Sequence, residues 1–150
     1  MNLEELNQSL ELQVTNLKML LNTAVTKQKA LIKNDLKALE TEMHSEEKLL
    51  LTISNQTVKV STIIGKLSSE YGMADANPTL SEFIKSVSEE KDTNIKVIVM
   101  LRNTIHELVQ QIDYTNKQNN ILIEHARSFI RDLISSIIGI SKKSLLDAKA

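Results

Sequence analysis

Cysteine is absent from the 150 residues, proline occurs once, at Pro78, and glycine three times, at positions 65, 72 and 139. Without thiols there are no disulfides, no thiolate nucleophile and no Cys-ligated metal, a composition that suits a reducing compartment such as the cytoplasm. With so few residues that break helices or form turns, the chain reads as long helices joined by few loops. Aromatic residues make up 3% of the sequence, with no tryptophan. The core must therefore be aliphatic, and the flat rings on which nucleic-acid bases stack are nearly missing.

Charge of one sign is missing too. The net charge is −1, and no basic face of the kind that attracts phosphate backbones or anionic lipid emerges. The longest wholly apolar run, residues 97–101, is far below the roughly 20 residues needed to span a bilayer. The opening Met1-Asn-Leu-Glu-Glu-Leu lacks the positive start and apolar run of a secretory signal. A soluble, single-domain protein spanning 1–150 is expected, with neither nucleic acid nor a membrane as partner.

Apolar residues then recur at helical spacing from Leu3 through Leu67 without a proline. The seam shifts between Val25 and Leu36, as a stutter or a helix end would make it. Two models follow for about residues 1–70. One is a single long or kinked helix, favoured by the lack of a glycine in this region. The other is a helix pair broken near Asn34, where Asn tolerates the left-handed conformation and Asp35 caps the next helix. Residues 71–78, with Gly72 and Pro78, form the clear interruption. Thr79-Leu-Ser-Glu82 has the form of a capping box opening a short helix over 79–88 that plugs the bundle end. A last long helix is predicted over 92–139 with Gly139 as its cap, followed by a mobile tail, 140–150. The fold class is all-α: a bundle of long antiparallel helices with coiled-coil-like packing and one short connecting helix.

Residues with chemistry are few. The three histidines, His44, His106 and His125, lack the Glu-x-x-His spacing of a di-iron bundle, since Thr41, Asn103 and Leu122 stand where glutamates would be needed. No phosphate-binding glycine loop or nucleophile elbow occurs. The sequence therefore points away from an enzyme and implies no metal and no cofactor.

The last helix is the informative one. One heptad register reads Ile98, Ile105, Ile112, Asn119, Ala126, Leu133 and Ile140, so an amide takes an apolar position; Asn116 does the same on the adjacent stripe. A seam amide lowers affinity but fixes register, because its hydrogen bonds are met in only one alignment. Further on, Ala126, Phe129, Ile130, Leu133, Ile134, Ile137 and Ile138 make a stripe wider than a two-helix contact uses. An exposed polar stretch or kink is the alternative reading of the amides, and plain bundle core that of the stripe.

Three segments together, Lys29-Ala-Leu-Ile-Lys-Asn-Asp-Leu-Lys-Ala-Leu39, Thr79-Leu-Ser-Glu-Phe-Ile84 and Asn116-x-x-Asn119-x-x-Leu122, resemble the FlgN family of flagellar export chaperones in order and spacing. The resemblance implies a cytoplasmic chaperone that binds hook-associated proteins of the hook-filament junction before secretion and prevents their premature assembly. It also implies that an amphipathic terminal helix of the client is received by Asn116, Asn119, Leu122, Ile123, Ala126, Phe129, Ile130, Leu133, Ile134 and Ile137. The export gate or export ATPase complex is a second implied partner, and a homodimer is compatible with the same stripe. A structural coiled-coil scaffold or tether that self-associates is the rival expectation.

Overall fold

In the computed structural model, which describes residues 3–138, four helices account for most of the described residues: α1 (Leu3–Lys33), α2 (Leu36–Glu70), α3 (Leu80–Val87) and α4 (Thr93–Ile138). No strand occurs among the described residues, so the fold is an all-α bundle. Gly139 and the tail 140–150, expected to cap α4 and to be mobile, lie outside the described residues.

The first 70 residues are a hairpin and not the continuous helix favoured by the lack of glycine. Asn34 takes a left-handed φ of 53°. The Asp35 amide donates to the Ala30 carbonyl at 2.9 Å and the Asn34 amide to the Leu31 carbonyl at 3.3 Å, the bond pattern of a Schellman ending. The Asp35 carboxylate then accepts from the Ala38 amide at 3.0 Å and starts α2. The C-terminus of α2 has the same geometry, with Gly72 at φ 70° and bonds from Met73 to Ser68 and from Gly72 to Ser69. Asparagine does at the first turn what glycine does at the second, which is why the missing glycine misleads.

Side-chain bonds fix the directions. Lys27 pairs with Glu46 at 2.9 Å, and the Gln13 amide donates to the Thr57 hydroxyl at 2.9 Å. Rising residue numbers in α1 therefore meet falling ones in α2, and the two are antiparallel. The Asn7 amide donates to the Asn94 side-chain carbonyl and Gln28 to Gln118, so α1 and α4 run the same way. Helix α1 is central, packed on both flanks, whereas α2 and α4 share no close backbone approach among the described residues. That double contact explains why α1 buries Asn7, Ser9, Gln13, Asn16 and Thr23 as well as its leucines.

Helix α3 closes one end. Thr79 accepts from the Glu82 amide and Glu82 accepts from the Thr79 amide, completing the capping box. Phe83 and Val87 drop into a cluster with Leu3, Leu6, Leu10, Ile63, Ile64, Leu67, Ile95 and Ile98. Tyr71 packs edge-on against the Phe83 ring, centroids 5.7 Å apart. A second cluster, Val14, Leu17, Leu20, Leu108 and Ile112, continues the core along α1 and α4.

Candidate functional site

The α4 stripe runs unbroken while its internal partner stops. At Ile98 and Ile112 the stripe is buried against α1. Asn119 follows, 2% exposed, its amide donating to the Ala24 carbonyl at 3.0 Å, while its own side-chain oxygen finds no hydrogen-bond partner. Asn116 lies half-buried beside it. Helix α1 continues to Lys33, about two turns further along, with buried Ala30 and half-buried Leu31 opposite Leu122 and Ile123.

Past Asn119 the apolar side chains open to solvent. Leu122, Ile123 and Ile134 are half-buried and Ala126 is exposed, while Leu133 is 45% exposed, Ile130 49%, Phe129 67% and Ile137 72%. Leu122, Ile123, Ala126 and Ile130 form one wall of a groove of about 240 Å³; Ala30, Leu31, Leu36 and Leu39, with the turn residues Asn34 and Asp35, form the other. Residues 131–138 extend α4 past this hairpin tip by about 12 Å, at roughly 1.5 Å per residue.

The ten residues grouped by sequence thus fall into two sets. Asn119 is engaged inside the α1–α4 seam and Asn116 borders it, while the other eight face the groove or the projecting end. The opposite wall, including Leu36 at 77% exposed, escaped the sequence reading. Its signal was Lys33-Asn34-Asp35 read as a turn, which brings Ile32 and Leu36 to the same end of the molecule as Ile130.

Chemically the site offers an apolar trough and little else. No histidine or hydroxyl lines it; its carboxylate, Asp35, is engaged as the cap of α2, and its basic residue, Arg127, pairs with Glu124. Among the described residues no group of three or more histidines and carboxylates stands where it could hold a metal, and His44, His106 and His125 are all exposed. No helix among them is long and apolar enough to cross a membrane.

The fold is an all-α bundle in which one amphipathic helix carries an exposed apolar face past the end of its internal partner. The FlgN protein family model matches residues 1–146, so the chain belongs to the FlgN family, whose members are flagellar export chaperones and not enzymes. No curated protein matches the chain. No solved structure does either.

Proposed function

We propose that the projecting end of α4 and the α1–α2 tip receive an amphipathic terminal helix of a hook-filament junction protein in the cytoplasm, before secretion, and keep it from assembling early. The single observation behind this reading is the exposed apolar face from Phe129 to Ile137, which continues past the last turn of α1. A soluble monomer normally avoids a contiguous exposed apolar surface, and one of this kind marks an interaction site. A client helix laid into the groove buries Phe129, Ile130, Leu133 and Ile137 by the helix-in-groove mode.

Fully burying one such side chain contributes about 1.5–3 kcal/mol, and these are already part-covered, so the gross gain is a fraction of four such terms. Ordering the client consumes much of it, leaving a Kd in the micromolar range. Releasable binding of that strength suits a chaperone that must hand its client to an export gate or ATPase complex.

The test is capture of a terminal fragment of a junction protein by the full chain and by Ile130→Asp and Leu133→Asp. Loss of capture with helicity retained supports the reading. Undiminished capture by both variants rejects it.

A further inference from the structure

Resting on that reading, we infer that the groove is selective for charge: it takes an amphipathic helix whose apolar face is flanked by carboxylates. The basis is the distribution of charge around the hairpin tip. Lys33 and Lys37 flank the groove-lining turn residues, and Lys29 stands one helical turn before Lys33. All three are exposed, and none is ion-paired among the described residues. Half-buried Arg131 stands one residue past the groove wall on α4.

The nearby carboxylates are mostly committed. Asp35 caps α2, Glu124 pairs with Arg127 at 3.0 Å, and Asp132 has an interaction of its own. Glu40 is the uncommitted one, against Lys29, Lys33, Lys37 and Arg131. Lys37 also runs against local preference: it lies in the first turn of α2, which carries no acidic residue, at the positive end of the helix dipole where carboxylates are favoured. The C-terminus of α1 and the N-terminus of α2 meet at this turn and their dipoles oppose each other, so the excess of lysines sets the positive field over the apolar trough.

Charge also argues against two other occupants. A second copy of the chain packed tip to tip would set these lysines against their equals. Residues 139–150 carry Lys142, Lys143 and Lys149 against Asp147, a net positive charge that such a field disfavours as an occupant. An acidic-flanked helix gains attraction where both of these meet repulsion, and such complementarity acts on encounter rate and partner choice.

The experiment measures binding of two synthetic amphipathic helical peptides to the full chain. The peptides share one apolar face and carry either glutamate or lysine flanks. At low salt the glutamate peptide is expected to bind about tenfold more tightly, and the ratio falls towards one at about 1 M salt, where screening reaches within about 3 Å. The combined variant Lys29→Gln, Lys33→Gln, Lys37→Gln is expected to erase the preference and keep the salt-independent remainder, while Leu133→Asp weakens both peptides. Equal binding at low salt overturns the charge selectivity and leaves the apolar site standing. Binding of both peptides that Leu133→Asp does not touch overturns the site as well. Sedimentation of a peptide-free dimer that Leu133→Asp dissociates would name a second copy as the occupant and also overturn the inference.

Discussion

The side-chain amide of Asn119 meets the backbone carbonyl of Ala24 at 3.0 Å, joining positions 95 residues apart at the last buried residue of α4 among the described residues. With the Asn7–Asn94 and Gln28–Gln118 bonds, this contact helps set how far α4 slides along α1. It thereby helps set how much of the stripe lies beyond the tip.

Replacing that amide tests its role. The Asn119 side-chain oxygen is buried without a partner, a condition that costs about 1–3 kcal/mol, and the Ala24 carbonyl lies within helix α1. Asn119→Leu is therefore expected to leave stability unchanged or raise it by about 1 kcal/mol in urea denaturation, while broadening amide resonances along α4 as the register loosens. A loss of stability with sharp resonances would show that the contact serves strength and not alignment.

The first turn makes a second prediction. At φ 53° an alanine in place of Asn34 is strained by about 1–2 kcal/mol, whereas glycine is free of that penalty. Asn34→Ala should lower the midpoint of thermal unfolding and Asn34→Gly should hold or raise it. Identical midpoints for the two would contradict the hairpin.

Asp35 starts α2 through the Ala38 amide. Asp35→Ala should cost about 0.5–2 kcal/mol, whereas Asp35→Ser should restore most of that. Failure of serine to rescue would mean that the carboxylate acts by charge and not as a cap.

Core and site should respond in opposite ways. Phe83 is fully enclosed, and Phe83→Ala is expected to cost about 3–5 kcal/mol. Ile137, largely open to solvent, should tolerate Ile137→Asp within about 0.5 kcal/mol while client capture falls. A steep loss of stability from Ile137→Asp would mean that the stripe is core.

The sequence made some of this plain and hid the rest for physical reasons. The capping box at Thr79 and Glu82 was readable because both halves of the motif are local. The exposed run from Phe129 to Ile137 was readable as excess apolar width, because helical periodicity reports a face regardless of what covers it. What covers it is a tertiary fact, so Asn119 could be read as a register-setting amide without showing that its partner is Ala24. The turn at Asn34 was legible as chemistry and outweighed by the absence of glycine. With the hairpin missed, Leu36 and Leu39 could not be seen as a wall. The central place of α1 left its mark in buried Asn7, Gln13 and Asn16, but polar residues on an amphipathic helix look solvated until a second neighbour is known.

The common direction of α1 and α4 leaves the long C-terminal helix clamped at one end only. Near α3 its Ile95 and Ile98 are gripped by Phe83 and Leu6; at the other end no loop ties it back to the hairpin among the described residues. Opening by local unfolding costs least where few contacts must break. Deuterium uptake should therefore climb steadily from Ile98 towards Ile137, as in a beam held at its root, and a guest helix would meet its softest stretch first.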